Sequence, residues 1–377
     1  MAKPAGKEKQ LPRNINSADS VPVDDIDFRS GEKDKSVEEL LDEHKRLGVR
    51  PFTAEVQEFE RLDEGRRSDI LNSIDQSVDL ETDEWMEPDY ENADIEVDWE
   101  KLKEASDEER RFEKLEEKYT GPAGLFQLSV QPDDDIEWQP GDFFSIKLPE
   151  TPGLDLQGHQ VPEVRRETAE DETVFRAYSI GSSPNDDAID FYIKRIPDEA
   201  VTEQSLTPVL DAKMKEADEI TLRGPYSDEL SIKETSEKDM VYVSTGTGMA
   251  PLKSMIDFSL EEGLDSFEGE ERDMYILLGA SYEDELPAHQ HFQELDEENE
   301  NIHYIPTVSR ESLVSDWDGE TDYVQNVLSD YAGDEIDMEN AEVYVCGMST
   351  MAQGVRQTVE ELGLDTENGS YHEEVFD

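Results

Sequence analysis

Residues 240–251 read MVYVSTGTGMAP, and this stretch decides the fold of the second half of the chain. Met240–Ser244 is an apolar run of strand length, and Gly246, Thr247 and Gly248 form a turn after it. Pro251 then stands where the first turn of a helix tolerates proline. A glycine turn between strand and helix lets a pyrophosphate approach the backbone, and the helix N-terminus favours its charge. The same texture continues downstream. Further strands are expected at Met274–Leu278, His303–Val308 and Val343–Cys346, and helices at Leu252–Leu260, Gln290–Leu295, Tyr323–Tyr331 and Met351–Leu362. Strand and helix in alternation predict a parallel α/β sheet over residues 236–377.

Upstream the period changes. Phe126, Leu128 and Val130 alternate as a half-buried strand does. Pro140-Gly141 turns into Phe143–Leu148, and strands recur at Val174–Ile180, Ile189–Lys194 and Glu219–Arg223. Short strands at this spacing predict a small antiparallel β-barrel over residues 121–235, interrupted by a polar loop at 150–172. Residues 1–120 read as an acidic extension, disordered and then helical. Ser36 and Glu39 form a capping box, and the helix they open ends near Gly48. Thr53 is expected to cap a second helix carrying Val56 and Phe59. Ile70, Leu71 and Ile74 suggest a third, and Trp99–Tyr119 a fourth. The predicted fold class is therefore mixed: an antiparallel barrel, then a parallel α/β domain, behind a mainly helical or disordered N-terminal segment.

Charge narrows the partners. The 377 residues hold 97 Asp and Glu against 34 Lys and Arg, a net of −63. Such a surface excludes nucleic acid and an anionic membrane as main partners, since both need a basic face. The excess is no acidic tail: residues 121–377 alone carry 61 acids and 15 bases. Self-repulsion of this size is screened at molar salt, where the Debye length falls to about 3 Å. The composition is like that of proteins from extreme halophiles with a salty cytoplasm. Cys346 is the single cysteine, so the chain forms no internal disulfide and no four-cysteine cluster. MAKPAGKEKQ at the N-terminus has no apolar core of a signal peptide, and no run of 18 apolar residues exists. The expectation is a cytoplasmic protein without membrane contact.

A second motif closes a barrel strand: Arg176-Ala177-Tyr178-Ser179. Arg176 and Tyr178 alternate onto one strand face, where a guanidinium can fork onto a phosphate and a phenol ring offers a flat surface to a flavin. Ser179 can hydrogen-bond the edge of such a ring. His289 and His291 flank Gln290 without an evident third ligand, so they read as surface histidines and no metal is expected.

With both motifs in this order, and Cys346-Gly347-Met348 ending a late strand, residues 121–377 resemble the ferredoxin–NADP reductase superfamily. The resemblance implies a flavin-binding barrel joined to an NAD(P)-binding domain. It gives Arg176 the flavin phosphate, Tyr178 the ring face and Ser179 the reactive edge. Thr207 takes the Ser/Thr position of a flavin-phosphate segment, in which Gln204 replaces a usual glycine. Gly224 belongs to the Gly-Pro turn at the barrel end. Thr245, Gly246, Thr247, Gly248 and Pro251 match the dinucleotide loop, and Cys346 and Gly347 the pair beside the nicotinamide. Glu374 and Phe376 are similar to the acidic and aromatic residues of a C-terminal tail near the flavin. Ser179, Cys346 and Glu374 are the implied catalytic residues.

Ser309 and Arg310 match a pair that reads a 2′-phosphate, and Tyr323 an adenine-stacking aromatic, which favours NADPH. The stretch from Trp317-Asp318-Gly319 to Tyr323-Val324 is also similar to NADH-using oxygenase reductases. The long loop and the Ser179 form of the motif favour FAD, with FMN as the other choice. The implied activity is electron transfer from NAD(P)H through FAD to a one-electron protein acceptor such as ferredoxin, or to an oxygenase component. The alternative is a relay or non-catalytic subunit of a larger assembly, docked through residues 1–120.

Overall fold

The computed structural model describes residues 52–63, 65–67, 124–132, 136–147, 175–195, 217–226, 230–232, 236–311, 317–332 and 335–376, with isolated positions between them. The expected helices at 36–48, 70–74 and 99–119 and the loop 150–172 lie essentially outside the described residues.

Six strands build the first sheet: β1 (Phe52–Arg61), β2 (Gly124–Pro132), β3 (Phe143–Lys147), β4 (Phe175–Ser179), β5 (Ile189–Arg195) and β6 (Glu219–Tyr226). Their order is β4-β3-β6-β1-β2-β5, and every pairing is antiparallel. The end strands β4 and β5 approach each other, so the sheet curls into a nearly closed barrel. Phe52, Ala54, Leu128, Phe144, Ile146, Phe191 and Leu222 fill its core.

β1 corrects the sequence reading. Thr53 does not cap a helix, and Val56 and Phe59 lie on a strand between β6 and β2. A barrel boundary at residue 121 therefore cuts through the sheet. The cause is a β-bulge between Val56 and Glu58. Phe52, Ala54 and Val56 follow the two-residue period, and the extra residue then brings Phe59 back to the same face. The resulting three-residue step from Val56 to Phe59 imitates helical spacing. Phe59 stacks on Phe126, with centroids 5.2 Å apart and planes 6° from parallel.

The second sheet is parallel throughout, in the order β9-β8-β7-β10-β11. Its strands are β7 (Asp239–Thr245), β8 (Met274–Ala280), β9 (Ile302–Val308), β10 (Ala341–Gly347) and β11 (Tyr371–Val375). Four helices flank it: α1 (Met249–Glu262), α2 (His289–Glu298), α3 (Val324–Tyr331) and α4 (Ser349–Glu361). Val241, Val243, Val343 and Val345 pack with α3 and α4. Met240, Tyr242, Tyr344 and Cys346 pack with α1 and α2. Both faces are covered, which is why these strands read as unbroken apolar runs. The four strands and four helices expected here all form. β11 is an addition: Glu374, expected in a tail, lies on this edge strand.

Candidate functional site at the carboxyl edge of the parallel sheet

β7 delivers Ser244 and Thr245 to the carboxyl edge, and residues 246–248 turn once before α1 begins. Gly246 has φ +51°, a conformation that disfavours side chains. Gly248 is needed for approach rather than conformation: a Cβ there would lie 2.3 Å from the carbonyl oxygen of Cys346. The loop thus packs backbone to backbone on β10. Ser244 pairs in register with Cys346, and Cys346 with Glu374. The amide of Phe376 donates to the carbonyl of Gly347 at 3.1 Å. Thr245, Gly248, Cys346, Gly347, Glu374 and Phe376, drawn from three strands, are therefore neighbours. Cys346 is fully buried, while Phe376 and Met348 are 41% and 55% exposed, leaving an apolar rim.

The hydroxyls of Ser244 and Thr245 are buried without a hydrogen-bond partner among the described residues. Leaving such a group unsatisfied costs about 1–3 kcal/mol. Two adjacent ones beside a glycine turn and a helix N-terminus fit a bound polar ligand with an anionic part.

Ser309 and Arg310 follow β9 on the same edge. Their amides donate to the carbonyls of Ala280 and Ser281 at 3.1 and 2.9 Å, and both side chains are exposed. The Arg310 side chain also hydrogen-bonds Tyr282, whose phenol burial pushes up to about 12, partly offset by the Arg310 charge. Tyr323 stands at the N-terminus of α3, 65% exposed. An exposed cation and an exposed aromatic so placed can take a phosphate and a flat base.

On the barrel, Arg176 pairs with Ile146 and Tyr178 with Phe144, so both residues share the face those apolar residues present. Tyr178 packs on the core, and burial raises its phenol pKa against the pull of Arg176. Ser179 takes the opposite face, in one row with Phe143 and Tyr226 across β4, β3 and β6. The rings of Phe143 and Tyr226 are 5.4 Å apart. The Tyr226 hydroxyl is buried without a partner among the described residues, a third orphan that fits a polar ligand. Sequence reasoning missed it as a site residue. It follows Gly224-Pro225, which was expected as a turn but lies inside β6 at an irregularity of its pairing with β3; Gly224 is buried there, and a Cβ would lie 2.7 Å from the Phe144 ring. Thr207 is half-buried, while most of the segment around it lies outside the described residues.

The two motifs meet through α1. The Ser254 hydroxyl donates to the carbonyl of Ser182 at 2.6 Å. Leu125, Tyr192 and Ala250 pack together at the same junction. The loop leaving β4 is thereby seated on the helix that starts at the glycine turn. His289 and His291 do not converge: His289 bonds Tyr304 at 2.9 Å and His291 bonds Asp257 at 2.7 Å. No helix among the described residues is long and apolar enough to cross a membrane.

Residues 242–357 match the oxidoreductase NAD-binding domain family. The chain is 32% identical over 203 residues to one component of the Na(+)-translocating NADH-quinone reductase of Marinomonas sp. (strain MWYL1), covering 52% of this chain and 48% of that one. With the corresponding component from Serratia proteamaculans (strain 568) it shares 26% over 258 residues, or 64% and 61% of the two chains. The chain thus spans about half to three fifths of the length of these curated relatives. Among solved structures, a ferredoxin NADP+ reductase from Neisseria gonorrhoeae with bound FAD and NADP superposes with a TM-score of 0.51. It is 19% identical, over 67% of this chain and 92% of that one. Ferredoxin-NADP+ reductase from Plasmodium falciparum, as its H286L mutant, gives 0.52 at 15% identity, over 87% and 97%. At these identities the structural likeness speaks for the fold.

Proposed function

Because the chain belongs to the ferredoxin–NADP reductase superfamily, in its fold and in its nucleotide-binding domain, we propose that it is a flavin-dependent NAD(P)H oxidoreductase. The observation that carries this is the Ser244–Gly248 turn, packed on the Cys346 carbonyl with two orphaned hydroxyls beside a helix N-terminus. A bound FAD supplies hydride acceptance and release of electrons one at a time. The residues of the chain bind and orient. Gly246, Thr247, Gly248 and Pro251 admit the dinucleotide pyrophosphate, and Thr245 donates or accepts at the nicotinamide end. Cys346 and Gly347 wall that end, with Glu374 beside them as a proton-holding or charge-setting group. Arg176 and Thr207 hold flavin phosphate, Tyr178 and Phe376 cover the ring, and Ser179 meets its edge with Tyr226 from the same row. Ser309 and Arg310 take the 2′-phosphate of NADPH, and Tyr323 the adenine.

The acceptor in this reading is a one-electron protein such as ferredoxin or an oxygenase component, with residues preceding β1 available for docking. The working compartment is a cytoplasm at molar salt. A second reading is favoured by the relatives, which are named as components of an NADH-quinone reductase. In it the chain is one part of a larger assembly, takes NADH and passes electrons towards a quinone.

The test is purification of the full chain in molar KCl, identification of released flavin, and reduction by NADPH and NADH in turn. A yellow protein bleached by either nucleotide supports the reading; a colourless chain that takes up neither FAD nor FMN sinks it. The halophilic part has its own check. Unscreened, a charge of −63 opposes compactness. Flavin is expected to be lost on dilution to 0.1 M KCl and regained at 3 M. Equal melting temperatures at both salts would remove repulsion as the controlling term.

A further inference from the structure

Glu311, directly after Arg310, is 0% exposed. One of its carboxylate oxygens accepts the amide of Glu283 at 2.8 Å. The other is paired with the guanidinium of Arg66, which reaches over from the helical residues 65–67 after β1. Arg66 also bridges to Glu283 at 3.1 Å. A second cation from outside the nucleotide domain joins the same place: Lys118 pairs with Asp284 at 2.7 Å and stands 4.4 Å over the ring of Tyr282. Tyr282 is the residue to which the Arg310 side chain is hydrogen-bonded. Lys194 on β5 adds a pair with Glu285 at 3.2 Å.

In a chain with nearly three acids for every base, three bases converge on the stretch 282–285 and on Glu311. That stretch directly follows Ala280 and Ser281, whose carbonyls accept the amides of Ser309 and Arg310. A fully buried carboxylate that loses a cationic partner is destabilised, so removing Arg66 weakens the hold on the peptide bearing Glu311.

We propose that Arg66 is a positioning residue for dinucleotide binding: through Glu311 it fixes the peptide that presents Ser309 and Arg310. The adenine end of the nucleotide site is then held in register by the segment of β1 and the helical residues after it that the barrel draws from the front of the chain. This rests on the assignment of Ser309 and Arg310 to the nucleotide. Arg66 itself touches no ligand. It acts through the buried carboxylate, and Lys118 through Tyr282 in a lesser way.

The experiment uses the full chain at molar KCl and measures, by calorimetry, the affinity of 2′-phospho-AMP and of 5′-AMP, probes that need no flavin. Arg66→Ala is expected to weaken 2′-phospho-AMP about tenfold, the size of a coupling carried by one positioned side chain. The double variant Arg66→Ala/Glu311→Gln should recover to within about threefold of wild type, since it removes the buried charge and keeps an acceptor for the Glu283 amide. A residue in direct contact with the ligand would show no such rescue. In steady-state reduction the KM for the nucleotide should rise with kcat nearly unchanged. If the alanine variant does not fold, Arg66→Lys, which reaches only one of the two carboxylates, should weaken binding about threefold. Wild-type affinity in the single variant, or a double variant no better than it, overturns the proposal. Failure of the functional reading looks different: the wild-type chain itself would bind neither probe, or Arg310→Ala would leave 2′-phospho-AMP binding intact.

Discussion

The parallel sheet and the barrel solve the same burial problem in opposite ways. In the parallel sheet, β7, β8 and β10 are covered by helices on both faces, and Met240–Val243 are all 0–1% exposed. Each of these strands is followed by one of the helices that cover the sheet. In the barrel the core lies on the inner face, and the sheet includes β1, whose partner β2 begins more than sixty residues later. Local pattern suffices for the first architecture. The second depends on pairing between distant segments, whose entropic cost local preferences do not show.

Deletion should break the comparison most sharply. A chain lacking residues 1–63 loses a central strand together with Phe52 and Ala54 from the barrel core. Circular dichroism and flavin absorbance are expected to show loss of the barrel. A deletion variant that stays folded and yellow would mean that β1 is an appendage.

Next in size is Phe126→Ala. Phe126 is 2% exposed and stacks on Phe59 across β1 and β2. Its truncation should cost about 3–5 kcal/mol, read as a fall in denaturation midpoint and in bound flavin. A loss below about 1 kcal/mol would show that the β1–β2 contact contributes little.

Gly248→Ala probes the other half. The backbone there is ordinary for alanine, so the cost comes from the Cys346 carbonyl 2.3 Å from the new Cβ. A loss of about 1–3 kcal/mol is expected, with nucleotide affinity falling while flavin content holds. Falling flavin content instead would show that the halves are not separable at this loop.

The smallest effect concerns pH within the parallel half. Asp257 on α1 meets His291 on α2 at 2.7 Å. Burial would raise its pKa, but the His291 hydrogen bond and the Lys253 charge outweigh that and hold it below the usual carboxylate value. A lowered folded pKa contributes stability above the unfolded value, and this is lost as pH falls through the folded one. His291→Ala removes the largest influence lowering that pKa, so the variant should lose less stability than wild type as pH falls through the acid range, with its deficit greatest above the unfolded value. The change at neutral pH should stay below about 1 kcal/mol. An unchanged acid limb in a denaturation series would show that this pair does not tune Asp257.

The sequence by itself determined the parallel sheet, the glycine turn, the Arg176-Tyr178-Ser179 strand and the charge of −63. Each is written in neighbouring residues: an apolar run, a turn dipeptide, a two-residue alternation, a count. Only tertiary structure decided that Phe52–Arg61 is a strand, because its bulge turns the two-residue period into a helix-like step. Tertiary structure alone also placed Tyr226 in a row with Ser179, set Glu374 beside Cys346, and brought Arg66 and Lys118 onto the stretch behind Arg310. These contacts join residues dozens to hundreds of positions apart. Spacing along the chain carries no trace of them, since pairing and burial in three dimensions select their partners.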